Sequence, residues 1–161
     1  MLTLPNDSCL CTVRLGLSSG SRKYVEIPVL LDPGSCHRAI IDQHTVHQVM
    51  HMGIPKEQLS PPHHTISGYD GGSRQCISSQ LSPILSVPGT RFHEPSIPMS
   101  IVELSNRPYK AIIGWPYIQD KHIAIDGDGP LARFSQSTNQ DAVPAQPSAK
   151  SVLPLRLRRL V

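Results

Sequence analysis

The chain has 161 residues, 39% of them hydrophobic but only 4% aromatic, with sixteen prolines and eleven glycines; that is enough for one modest core and a tail, not for a large enzyme. A core so poor in aromatics must rest on Ile, Leu and Val, which favour strands, while the prolines and glycines interrupt long helices, so an all-β domain is expected. The net charge of +3 lies in the tail: residues 1–134 hold 11 Lys/Arg and 11 Asp/Glu, whereas residues 135–161 hold Lys150, Arg156, Arg158 and Arg159 against Asp141 alone, a balance that argues against a nucleic-acid-binding domain.

No apolar stretch reaches the length of a membrane span, and the first thirty residues lack the basic-then-apolar layout of a secretory signal. The expectation is an intracellular, cytoplasmic chain with no membrane partner. Cys9, Cys11, Cys36 and Cys76 are too few and too irregular for a disulfide framework and form no C-x-x-C pair, so free thiols are expected, with no metal and no cofactor.

Along the chain, "CTVRLGLSSGSRKYVEIPVLL" reads as two strands joined by a turn at residues 18–21. In the first arm Val13, Leu15 and Leu17 alternate with Thr12, Arg14 and Gly16, the period of a half-buried strand. The second becomes continuously apolar at Val29, Leu30 and Leu31, which places Asp32 at the end of a core strand. Asp32-Pro33-Gly34-Ser35 is itself a near-ideal turn: proline presets φ at the second position and glycine tolerates positive φ at the third. Taken alone, Asp32 is the first residue of a turn.

"AIIDQHTVHQVMHMGIP" then reads as the one short helix, with Asp42 capping its start and Gly53 and Pro55 ending it. Val46, Val49 and Met50 fall on one face; His44, His47 and His51 fall on the other, where they read as solvated rather than metal-bound. "HHTISGYDGGSRQCIS" follows as a tight hairpin about Asp70-Gly71-Gly72, whose turn needs positive φ. Further on come a strand in "IPMSIVEL", loops at Pro88-Gly89 and Asn106-Arg107-Pro108, a short apolar strand from Ala111 to Ile113, a Gly-Trp-Pro turn with one possible turn of helix, and a last strand around His122 to Ile125. From Ser135 the polar, proline-containing composition reads as a disordered linker ending in the basic "LPLRLRRLV".

"VLLDPG" and "AIIGWP" echo each other, each an apolar triplet running into a turn, the first with Asp32 where the second has Gly114. With the hairpin between them, this order resembles the retropepsin-like aspartic protease domain of gypsy-type LTR retrotransposon polyproteins. The resemblance rests on Leu30-Leu31-Asp32-Pro33-Gly34-Ser35, Ile40-Ile41, the hairpin around Ser67 to Ser73, Ala111 to Ile118, and Ile125-Asp126, and it covers roughly residues 10–134.

The resemblance implies an acid-protease fold, a closed or folded β-barrel half with one short helix and a flap hairpin, over residues 1–134, followed by the tail of residues 135–161. It implies an aspartic endopeptidase acting as a homodimer on polypeptide substrate, the element's own polyprotein, with Asp32 as the catalytic residue of each copy. Gly34, Ser35 and the flap residues Gly68, Tyr69, Asp70, Gly71 and Gly72 would bind substrate. Pro33 stands where the commoner family pattern has Thr or Ser, and so lacks both hydroxyl and N–H. The alternative is a catalytically inactive module of the same fold that dimerises or binds a protein partner.

Overall fold

The computed structural model describes residues 9–17, 22–60, 64–66, 74–104, 106–126, 131–134 and 155–156. Its strands are β1 (Cys9–Gly16), β2 (Tyr24–Asp32), β3 (Ala39–Asp42), β4 (Glu57–Gln58), β5 (His64–Ile66), β6 (Gln75–Ile77), β7 (Ser79–Leu81), β8 (Ile84–Ser86), β9 (His93–Glu94), β10 (Met99–Val102), β11 (Ala111–Gly114), β12 (Ala124–Asp126), β13 (Leu131–Arg133) and β14 (Leu155–Arg156); its helices are α1 (Gln43–His51) and α2 (Trp115–Asp120). The all-β expectation holds in its coarse form.

Nine strands form one sheet in the order β4-β7-β10-β3-β11-β2-β1-β8-β9, with β12-β13-β14 and β5-β6 as two small sheets. The large sheet is open, ending at β4 and β9, which corrects the closed form of the expected barrel half: among the described residues β4 and β9 each pair on one side only, so the ends do not meet. The second helix, α2, forms where one possible turn of helix was expected after the Gly-Trp-Pro turn, and adds to the single short helix that the resemblance implies; Pro116 at its start lacks the N–H that a first helical turn leaves unpaired anyway.

β1 and β2 form the long antiparallel hairpin expected from their alternation, with Val13 opposite Ile27 and Cys11 opposite Val29. Its inward residues are Cys9, Cys11, Val13 and Leu15, all buried, whereas Leu17, expected to continue that row, is 51% exposed beyond the strand's end. β11 slots between β2 and β3, parallel to β2 and antiparallel to β3.

Because side chains alternate across a strand, the central strands serve two apolar faces. Val29, Leu31, Ala39, Ile41, Ala111 and Ile113 enter the main core with Val46, Val49, Tyr117 and Ile118 of the two helices. Burying a side chain such as Leu31 contributes about 1.5–3 kcal/mol. Leu30, Ile40, Val102 and Ile112 form a second cluster with Ile77, against which Ile66 and Tyr109 pack half-buried. The stem of the β5–β6 hairpin, with Ile66 opposite Gln75 and His64 opposite Ile77, thus supplies Ile66 and Ile77 to the second face.

α1 buries Thr45, Val46 and Val49 and exposes His44, His47 and His51. Met50, expected on the buried face, is 41% exposed. Asp42 makes no side-chain cap. Its Oδ1 instead accepts the Leu104 N–H at 3.0 Å, tying β3 to the segment after β10, so the carboxylate is a tertiary link rather than a helix start signal. Gly53, at φ 97°, ends the helical run as expected. In the tail, Leu155 and Arg156 pair with Ala132 and Leu131, so sheet returns where composition alone read disorder.

Candidate functional site

β2 and β11 end side by side. The register sets Val29 opposite Ala111, Leu30 opposite Ile112, Leu31 opposite Ile113 and Asp32 opposite Gly114, so the two echoing segments are neighbours residue for residue. Asp32 shares its side of β2 with Leu30, two residues before it, and therefore belongs to the face that carries the hairpin stem.

The turn after Asp32 closes as its composition dictates. The Ser35 N–H donates to the Asp32 carbonyl at 3.1 Å, and the Gly34 N–H donates to Asp32 Oδ1 at 2.9 Å, so one carboxylate oxygen is held by backbone. Ser35 Oγ accepts the His37 N–H at 3.3 Å. The loop then crosses over the end of β11: Gly114 N–H donates to the Arg38 carbonyl at 3.1 Å and Trp115 N–H to the Ser35 carbonyl at 3.0 Å. A Cβ at position 114 would overlap the His37 carbonyl and crowd the Ser35 carbonyl and hydroxyl. Gly114 lacks a side chain because the Asp32 loop occupies that space.

Asp32 is 1% exposed in the single chain. Gly34 and Cys36 of its loop are exposed, while Pro33, Ser35 and His37 are half-buried. Of the residues expected to contact substrate, Gly34 and Ser35 therefore lie beside Asp32. Gly68, Tyr69, Asp70, Gly71 and Gly72 lie outside the described residues, and only the stem of their hairpin is seen.

Three neighbours were not singled out from sequence. Tyr109 packs on the Leu30–Ile112 cluster; its phenol is raised above its ordinary range by burial, with Arg107 opposing and the Asp32 charge adding to the rise. Arg38, just past the loop, pairs with Asp120 of α2 and lies 5.2 Å from the Tyr117 ring centre. Buried Tyr117 donates to Glu94 Oε2 at 3.2 Å, an oxygen that Lys121 also holds at 2.7 Å, so α2 is braced against β9 and the Asp32 loop together. The signal for this brace, an Arg and an Asp far apart in sequence, is invisible without the register.

Among the described residues no group of three or more His, Cys, Asp or Glu side chains is gathered to hold a metal ion, and no helix is long and apolar enough to cross a membrane. Cys9 and Cys11 are buried, Cys36 and Cys76 exposed, and all four are free thiols. In comparisons with known proteins, no family model and no curated protein matches the chain.

Proposed function

We propose that the chain is an aspartic endopeptidase of retroviral or retrotransposon type, working as a homodimer in which two copies of Asp32 activate one water. The observation that carries the reading is the parallel register of Asp32 with Gly114: an acid at the end of a buried strand, one oxygen held by Gly34, under a loop that only a glycine at 114 admits. The stem of the glycine-rich hairpin on the same sheet face supports a flap role for Gly68 to Gly72, closing over an extended peptide.

Two carboxylates sharing one site cannot both ionise, so the pair holds one proton and titrates as a unit. The ionised member takes a proton from water as its oxygen attacks the peptide carbonyl. The protonated member donates to the developing oxyanion, and a proton then passes to the leaving nitrogen as the C–N bond breaks. A single Asp32 performs neither half of this alone. Because Asp32 is 1% exposed in the single chain, the reading also requires the cover over the carboxylate to move when a second copy or a peptide arrives.

That same burial favours a second reading, an inactive module of this fold in which Asp32 only anchors the turn and the surface binds a partner. One experiment separates the two: incubation of the purified chain with a mixed peptide library near pH 5, with and without a pepstatin-like transition-state mimic, beside Asp32→Asn. The peptidase reading expects cleavage that the mimic blocks and the variant lacks. Equal cleavage by Asp32→Asn, or none by either protein, overturns it.

A further inference from the structure

β13 is paired on both sides, and its two partners come from very different places in the chain. On one side β12 follows the hairpin register, with Ala124 opposite Arg133 and Ile125 opposite Ala132. On the other, Leu155 and Arg156 of β14 stand opposite Ala132 and Leu131, although twenty residues, 135–154, separate them from Phe134. β13 itself is anchored: Ala132 and Phe134 are buried in the main core, with the Phe134 ring 5.1 Å from that of Phe92. A fixed strand with one open side is a ready template for another strand, and here a remote segment takes it.

We propose that the outer edge of β13 is a strand-addition site and that residues 153–158 of the same chain are its tethered, exchangeable occupant. Three observations choose that occupant. The pairing of Leu155 and Arg156 sets the segment's place and its antiparallel direction. Around that pair the sequence alternates, Leu153, Leu155 and Leu157 with Pro154, Arg156 and Arg158, the period of a strand with one apolar side; Pro154 suits an edge strand, where an N–H can be spared. The charges also match, since Ile123 to Phe134 carry Asp126 and Asp128 against Arg133 alone, whereas residues 153–159 carry Arg156, Arg158 and Arg159 and no acid. With two residues paired at an edge, β14 belongs to the part of the fold that opens most readily, so the occupant exchanges while β13 stays anchored. Main-chain pairing supplies the affinity of such an addition, and the alternating side chains its selectivity. The site therefore takes an extended, basic segment in which leucine alternates with arginine, and the tether makes the chain's own copy the favoured one. This occupancy stands apart from the peptidase reading and is tested without activity.

Amide hydrogen exchange on the whole chain reads the site directly. Leu155 and Arg156 are expected to exchange more slowly than residues 140–150. A Leu155→Pro, Arg156→Pro double variant, which removes both N–H groups of β14, is expected to speed exchange at Leu131 to Arg133 while the amides of β1 and β2 keep their protection. A fluorescent peptide carrying residues 151–161 is expected to bind that variant saturably and restore the protection of β13. In the wild type the same peptide is expected to displace the tail only at roughly millimolar excess, the order of effective concentration that a short tether supplies. Added salt is expected to weaken the peptide, and a peptide of the same composition with its leucines grouped is expected to bind at least about tenfold more weakly. Free exchange of Leu155 and Arg156 in the wild type overturns the proposal, whether or not the double variant folds. So does a peptide that neither the variant nor, at that excess, the wild type takes up, and so does equal binding of the grouped peptide, which marks a charge effect alone. Protection of β13 that fades as the wild-type chain is diluted overturns occupancy by the same chain in favour of a second copy.

Discussion

Gly114 lies directly beneath the carbonyl of His37, so that a Cβ added at position 114 would overlap that oxygen. Its backbone, at φ −94° and ψ 177°, is ordinary extended chain. The demand for glycine is therefore one of space and not of conformation. Gly114→Ala is expected to displace the loop and destabilise the fold by about 1–3 kcal/mol, the usual range for overpacking, read as a lowered thermal midpoint. The same variant is expected to lose any activity that depends on Asp32.

Asp32 has one oxygen bound to the Gly34 N–H, and asparagine keeps an acceptor there. Asp32→Asn is expected to stay folded, with its thermal midpoint near that of the wild type, while losing peptidase activity. Asp32→Ala removes the acceptor from a buried turn and is expected to cost about 1–3 kcal/mol in chemical denaturation as well.

For Asp42 the structure separates two roles. Its Oδ1 bonds Leu104, and its buried Oδ2 has no hydrogen-bond partner among the described residues. Asp42→Ala leaves the Leu104 N–H unsatisfied and is expected to destabilise by about 1–3 kcal/mol. Asp42→Ser, a good helix cap in general, is expected to rescue little of it, because the lost bond crosses to Leu104 and is not a cap. Thermal midpoints of the two variants check this.

The thiols divide by burial. Cys36 and Cys76 are expected to react promptly with a thiol reagent in the native protein, and Cys9 and Cys11 only after unfolding. Burial raises the Cys9 thiol from its ordinary 9.0 to about 12 and, together with Cys9 itself, raises Cys11 still further. Burial, with Glu94 adding to it, raises the Tyr117 phenol likewise. A raised value in the fold means that the folded state holds the proton more tightly than the unfolded chain. This stabilising contribution is complete below pH 9.0 and is lost as pH climbs from there toward about 12. Denaturant midpoints are expected to fall progressively above pH 9, less so in a Cys9→Ala, Cys11→Ala double variant.

Much of the fold was legible because the relevant signals are local. The alternation of Val13 and Leu15, the unbroken Val29-Leu30-Leu31 run, the glycine at 53 and the strand at Met99 to Val102 all follow from neighbours in sequence. The site was half legible: the likeness between "VLLDPG" and "AIIGWP" could be seen, but not that the two would lie in register, nor that β3 would form from Ala39–Asp42 and flank β11. Asp42 misled because a polar residue before a helix reads as a cap, and only the fold shows that Leu104 claims it. Leu17 and Met50 misled in the same way, since periodicity places a residue on a face but does not say where that face ends. Barrel closure depends on whether distant edges meet, and no local pattern reports on that.

The parallel pairing of β2 with β11 also has a temporal consequence. The loop that holds Asp32 is complete only when Gly114 and Trp115, encoded far downstream, have been synthesised and have threaded between β2 and β3. Distant pairings of this kind close late, after the local hairpins. A chain that has not yet reached Gly114 and Trp115 thus carries its acid in an unfinished loop, and the arrangement around Asp32 waits on that downstream segment.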